Sequence, residues 1–253
     1  MLDVVHTDNL LILQSSLMNS WGYLRHAFSS RKGGVSPAPW DSLNLGYSTG
    51  DAAENVRENR RRFLATLDAD PERLACGRQV HRRSITTVER PGLYDACDGL
   101  ITTEKNIVLA IKTADCVPLL LFDPVQKVLA VIHCGWRSVV KNIVEEAIAR
   151  LTAAYSSRTT SIYAAIGPAL RSCCYEIQED VACHFSGGFV IRREGGLFLD
   201  LVGAIENRLV KSGVTEQNID TCHRCTYCEK ELFFSYRRDG QRSGRMMLAA
   251  TLS

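Results

Sequence analysis

Long apolar runs are missing from this chain. The longest, such as residues 117–122, fall far short of the ~20 residues a membrane helix needs, so no membrane span is expected. A strong charge of either sign is also missing. The formal net charge is +2 over 253 residues, which gives no whole-chain field for nucleic acid or a membrane surface and leaves only local patches open. No low-complexity tract, internal repeat or long linker appears. The start, Met1-Leu2-Asp3-Val4-Val5-His6, has no basic segment leading into an apolar one, so no secretory signal is expected. Ten cysteines would make a disulfide scaffold in a short secreted chain. Here a reducing cytoplasm, with most thiols free, is the expectation.

What is present is ordinary for a globular protein: 45% hydrophobic and 23% charged residues, in a chain long enough for a sizeable core. Residues 10–28 hold short apolar runs that predict an early strand. Ser29-Ser30-Arg31-Lys32-Gly33-Gly34-Val35-Ser36-Pro37 is a turn-rich loop. Val56, Phe63, Leu64 and Leu67 mark the apolar stripe of a helix over 52–67. Apolar runs predict strands at 108–111, 117–122, 128–132 and 162–166, with Thr113-Ala114-Asp115-Cys116 interrupting the first two. Helical spacing of Val139, Ile143, Ala147 and Ile148 predicts one helix over 139–151, and another amphipathic stretch covers 199–212. Residues 233–236 and 246–252 read as late strands. The expected architecture is a single α/β (α+β) domain over 1–253, layered, with a mixed β-sheet and flanking helices.

Three residues at element edges suggest chemistry. His81 follows Gln79-Val80, Cys116 sits in a break between strands, and His133 ends a strand just before a helix. A catalytic zinc takes three protein ligands and keeps one position open, and imidazole and thiolate both suit it. Positions 81, 116 and 133 are too widely spaced for a compact zinc motif. Chance placement of two histidines and one cysteine at strand ends therefore stands beside the metal reading. Past His133, the helix start is preceded by Gly135 and Arg137. Such a terminus favours an anion. The competing reading has Arg137 on the surface, paired with a carboxylate.

These segments together resemble the laccase-domain family, also called the multicopper polyphenol oxidase or YfiH-type family, whose members are described as purine nucleoside phosphorylases. The resemblance runs from about Ser29 to Leu252. It rests on ordered blocks: Ser30-Arg31-Lys32-Gly33-Gly34-Val35-Ser36, Ser42-Leu43-Asn44-Leu45-Gly46, Asn59-Arg60, Gln79-Val80-His81, Asp98-Gly99, Thr113-Ala114-Asp115-Cys116-Val117-Pro118 and His133-Cys134-Gly135-Trp136-Arg137. It closes on Gly167-Pro168, Cys174-Tyr175-Glu176 and Phe233-Phe234-Ser235-Tyr236-Arg237-Arg238-Asp239-Gly240. The resemblance implies that His81, Cys116 and His133 are both the metal ligands and the catalytic residues, with Zn2+ as the metal and Cu2+ as its alternative. It also puts Arg31, Asn44, Arg60 and Arg137 forward as substrate-binding residues. Arg82, Cys134 and Ser138 depart from the family pattern, and Cys134 is expected to place a second thiol beside the metal.

The implied activity is phosphorolysis of purine nucleosides (adenosine, inosine, S-methyl-5′-thioadenosine), with adenosine deamination on the side. The partners are then a nucleoside and phosphate, with no nucleic acid and no membrane. Multicopper oxidation needs many histidines, and only six are present. His6, His26, His184 and His223 lie outside the matched ligand positions. A polyphenol oxidase remains an alternative, as does a cysteine-type hydrolase editing peptidoglycan precursors, with Cys116 as nucleophile and His81 or His133 as base. A zinc-stabilised interaction module built on Cys222-His223-Arg224-Cys225-Thr226-Tyr227-Cys228 is a non-catalytic alternative. A structural zinc normally takes two separated ligand pairs, so these cysteines are expected to be free thiols.

Overall fold

The computed structural model describes residues 2–7, 9–186 and 188–253. Two large mixed sheets lie face to face. The first has seven strands, in the order Leu2–Thr7, Leu10–Ser15, Leu24–Ser29, Met246–Leu252, Val108–Thr113, Leu74–Gly77 and Gly92–Tyr94. The second has six: Ile219–Thr221, Tyr163–Ile166, Val117–Asp123, Val128–Cys134, Gly99–Thr102 and Ile85–Thr87. A small third sheet pairs Gly196–Leu199 with Glu176–Ile177 and Val190–Arg193.

Strand alternation explains why the central runs are apolar on every residue. Along Val117–Asp123, Leu120 and Phe122 enter the core between the two sheets, where Phe28, Leu109, Ile111 and Leu248 meet them. Leu119 and Leu121 point the other way, into a core with Ile143, Ala147, Leu151, Ile205 and Leu209 from two helices. The first sheet repeats the scheme: Val108, Ala110, Met247 and Ala249 face Phe63 and Leu64 of the helix Ala53–Ala65. A strand buried on both faces has no polar side to show, so its sequence does not alternate. The layers are therefore helix, sheet, sheet, helices, in keeping with the expected mixed α/β class.

Some elements depart from the sequence expectation. The single helix over 139–151 is two, Trp136–Val140 and Ile143–Tyr155. Asn142 between them takes a left-handed conformation, φ 64°, which asparagine tolerates better than most residues. Residues 233–236 form no strand. Phe233 and Phe234 are fully buried as a plug, and the Ser235 hydroxyl accepts the Arg238 amide to start a short helix, Tyr236–Asp239. Residues 10–28 carry two strands rather than one, and Leu2–Thr7 adds a third ahead of them.

His26 sits in the first sheet, 1% exposed, and its Nε2 accepts the Ser15 amide at 2.8 Å. Burial holds its pKa down at about 4, against an upward pull from Asp220. A histidine depressed on folding contributes stability above its unfolded value near 6.5. That contribution is lost as pH falls through about 4. Urea unfolding of the wild type should therefore lose up to about 3 kcal/mol across this window, a tenfold change in proton affinity being about 1.4 kcal/mol. A His26→Gln variant keeps an acceptor but cannot titrate, and should be flatter over the same range. Parallel pH profiles for the two proteins would refute this account.

Candidate active site

Cys116 lies where the chain crosses from one large sheet to the other. Val108–Thr113 belongs to the first, and Val117–Asp123 to the second. Asp115, at φ 91°, makes the crossing tight. Its carboxylate accepts the Thr226 hydroxyl at 2.7 Å and the Arg237 amide at 2.6 Å. His133 is the penultimate residue of Val128–Cys134 and pairs with Pro118 across the ladder. That register brings the strand's end beside Cys116. His81 arrives on the loop after Leu74–Gly77 at φ 55°, a backbone state that needs outside support.

Asp98 gives that support. It is fully buried and accepts the amides of Val80, His81 and Arg82 at 3.2, 3.0 and 2.8 Å. The same carboxylate lies 2.8 Å from His133 Nδ1. Burial alone would raise its pKa, but His133 and the amides outweigh burial and hold it below the usual carboxylate range. One buried charge thus shapes the His81 loop and orients the His133 ring with Nε2 pointing away from Asp98. A carboxylate behind a histidine is the arrangement that orients histidine metal ligands.

The donor atoms of His81, Cys116 and His133 all lie within 4.8 Å of one another. The two imidazole rings meet edge to face, with centroids 4.8 Å apart. Gly135 leaves the space beside them open: a Cβ there would stand 2.6 Å from His81 Nδ1 and 3.3 Å from Cys116 Sγ. Two imidazoles and a thiol at this separation suit a zinc-type cation with one position left for a fourth ligand. Burial and the neighbouring His133 lower the His81 pKa, keeping it neutral as a ligand must be. For His133, burial lowers the pKa, but the Cys116 sulfur and Asp98 raise it further, to about 9.

The three donors line a cavity of about 590 Å³. Arg78, Lys112, Arg137, Arg237 and Arg245 contribute cationic side chains to its wall, and Trp136, Tyr175 and Tyr236 contribute aromatic ones. Asp115 is its carboxylate, already engaged by Thr226 and Arg237. The cavity therefore favours an anion bound with a flat, polar organic group. The Arg137 guanidinium lies 4.3 Å over the Trp136 ring, beside the donor cluster.

The other expected substrate contacts do not reach this wall. Arg31 is spent on the Asp41 and Lys230 carbonyls, the Asp41 carboxylate and the Phe234 ring. Arg60 holds the Leu45 carbonyl and stacks on Tyr47. Asn44 is fully buried and bonds Thr49 and Asp51, while its oxygen accepts the Arg245 amide at 2.9 Å. These three build the loop that backs Arg245. Cys134 is likewise not beside the donors: strand alternation turns it into the helix-packed core. Arg237, Arg245, Lys112 and Tyr175 were not singled out from the sequence. Asp98, Tyr175 and Arg237 lie in short matched blocks without an assigned role, while Lys112 and Arg245 lie in none.

Comparison with known proteins follows the same lines. A family model described as multi-copper polyphenol oxidoreductase laccase matches residues 25–253. A purine nucleoside phosphorylase of Deinococcus radiodurans is 38% identical over 225 residues, covering 87% of this chain and 86% of that protein. Purine nucleoside phosphorylase YlmD of Bacillus subtilis is 33% identical, covering 87% and 85%. The crystal structure of YlmD from Geobacillus stearothermophilus superposes with a TM-score of 0.91 at 30% identity, covering 98% of this chain and 97% of that one.

Removing Asp98 should be costly, because three amides and a buried imidazole lose their acceptor together. Asp98→Ala should destabilise the protein by about 3–5 kcal/mol in urea unfolding, the range for a broken buried charge pair. Asp98→Asn, which keeps one acceptor oxygen, should recover part of that. A change below about 1 kcal/mol for Asp98→Ala, the level of an ordinary surface substitution, would refute the organising role.

Proposed function

The chain belongs to the multi-copper polyphenol oxidoreductase laccase family, and on that premise we propose that it is a zinc-dependent purine nucleoside phosphorylase with adenosine deaminase side activity. The observation that carries the reading is the cavity itself: a two-imidazole, one-thiol cradle opening onto a cationic and aromatic wall. In phosphorolysis a phosphate oxygen bonds to ribose C1′ while the bond from C1′ to the purine breaks. The electron pair leaves with the base, which takes up the proton carried by the incoming phosphate.

Arg137, Arg237, Arg245 and Lys112 are suited to hold the phosphate and its developing contacts, by charge-assisted hydrogen bonds in a partly buried site. Trp136, Tyr175 and Tyr236 offer faces for the purine. His81, Cys116 and His133 would hold the zinc, with Asp98 behind His133. When bound, zinc supplies Lewis acidity at that spot, which in the side reaction serves to activate water toward the purine ring. Ten free thiols support a reducing, cytoplasmic setting. No helix among the described residues is long and apolar enough to cross a membrane.

A second reading, the cysteine-type hydrolase acting on peptidoglycan precursors, draws on Cys116 beside His133. Asp98 at His133 Nδ1 orients that ring to serve as the base for such a thiol. A laccase-type oxidase has less support: the two donor clusters among the described residues contain two histidines between them, few for several coppers. An interaction module on residues 222–228 leaves the cationic cavity without a purpose.

Product analysis separates these readings. With inosine or adenosine, base release should require phosphate and yield ribose 1-phosphate. Prior removal of zinc by a chelator should abolish turnover, and added zinc should restore it. Arg137→Ala should raise the KM for phosphate roughly tenfold or more, as loss of a charged hydrogen bond worth about 1.5–3 kcal/mol implies. Free ribose formed without phosphate, or full activity in zinc-free protein, would sink the phosphorylase reading.

A further inference from the structure

Four cysteines meet outside the residues that line the cavity. Cys173 and Cys174 lie in the turn before Glu176–Ile177, while Cys225 and Cys228 frame Thr226-Tyr227. The sulfurs of all four lie within 4.8 Å of one another. Cys228 Sγ is 3.6 Å from Cys173 Sγ and 3.2 Å from Cys174 Sγ, and all four are free thiols. Zn–S bonds of ~2.3 Å would place sulfurs ~3.8 Å apart at a tetrahedral centre. The four atoms are therefore close to that spacing without a covalent link.

The backbone around them joins the two pairs. Residues 169 and 225 are bridged as a short parallel pair, and the Thr226 amide donates to the Ala169 carbonyl at 3.0 Å. The segments bearing the two cysteine pairs are thus held together independently of the sulfurs. Such convergence exposes a weakness of the sequence expectation for Cys222–Cys228. The partner pair is Cys173-Cys174, some fifty residues earlier. Cys222 is not a member: it is buried in the core.

We propose that Cys173, Cys174, Cys225 and Cys228 form a second metal site, a tetrahedral all-thiolate centre for zinc, distinct from the His81–Cys116–His133 cradle. Four soft sulfur donors in a tetrahedral array select zinc among common divalent cations, and a closed four-ligand set is structural rather than catalytic. Its position says what it clamps. Tyr175, next to Cys174, lines the cavity. Thr226, between the other two ligands, bonds Asp115 beside Cys116. The Arg237 guanidinium donates to the Glu176 carbonyl at 2.8 Å. The centre therefore ties together the two segments that fix this side of the cavity.

Metal counting on the purified full-length protein, prepared under reducing conditions, tests the site apart from any activity. Zinc-loaded wild type should carry two zincs per chain. Cys116→Ala should retain one, and cobalt substituted into that variant should give the intense sulfur-to-metal absorption of a tetrahedral four-thiolate site. In Cys225→Ser with Cys228→Ser, one zinc should be lost and the other kept. Should that double variant fail to fold, alkylation of the Cys116→Ala protein remains decisive: the four thiols should resist labelling until a chelator is added. A zinc-free Cys116→Ala protein would overturn the proposal. So would unchanged zinc in the double variant, a disulfide between Cys174 and Cys228 in the zinc-loaded protein, or four thiols that label freely before chelation.

Discussion

A carboxylate with no exposed surface keeps its charge only if hydrogen-bond donors replace the water it has lost. Asp98 finds three consecutive amides and one imidazole. The amides belong to residues 80–82, so satisfying the charge also bends that loop and sets His81 at its positive φ. The imidazole is His133, so the same charge orients the second histidine. Two donors from distant parts of the chain become mutually oriented because both are tied to one buried anion. Cys116 needs no such tie, since the crossing between sheets places it.

The crossing has its own anchor in Asp115. Its two oxygens take the Thr226 hydroxyl and the Arg237 amide, which join the sheet interface to the segments carrying Cys225 and the cationic wall. The cavity is built at the seam where several parts meet: the ends of central strands, the Asp98-held loop, Leu170 and Tyr175, and Tyr236-Arg237. Strand pleating then separates neighbours in sequence. His133 faces the cavity and Cys134 the helix core, although they are adjacent. One residue of register decides which of two side chains can act as a ligand.

Arginine has two uses in this protein, and sequence alone does not tell them apart. Arg31 and Arg60 lie in short matched blocks, yet they hold carbonyls and stack on Phe234 and Tyr47. They stiffen the loop behind Arg245. Arg137 and Arg237 line the cavity, Arg237 while also holding the Glu176 carbonyl. A planar five-donor group serves backbone carbonyls as readily as phosphate, so its role follows from what surrounds it. The loop arginines bear on the cavity indirectly, through Asn44 and the Arg245 amide.

The local chain determined a good deal by itself. Apolar runs marked strands at 108–111, 117–122, 128–132 and 246–252, because a doubly buried strand excludes polar residues, and the strands that formed contain these runs. Helical spacing over 52–67 and 199–212 marked the helices Ala53–Ala65 and Leu201–Lys211 through their one apolar face. Short matched blocks named His81, Cys116 and His133, and the family they resemble. Edge strands such as Leu2–Thr7 and Gly92–Tyr94 were not legible, since a three- to six-residue stretch on a sheet edge has little burial to impose a pattern. Phe233 and Phe234 read as strand because an apolar pair looks alike in a strand and in a plug. Which arginines reach the cavity, where Cys134 points, and that Cys173 and Cys174 meet Cys225 and Cys228 were decided by tertiary structure alone. Each depends on the distance between residues far apart in the chain, and on the side of a sheet from which each projects. No local spacing encodes either quantity.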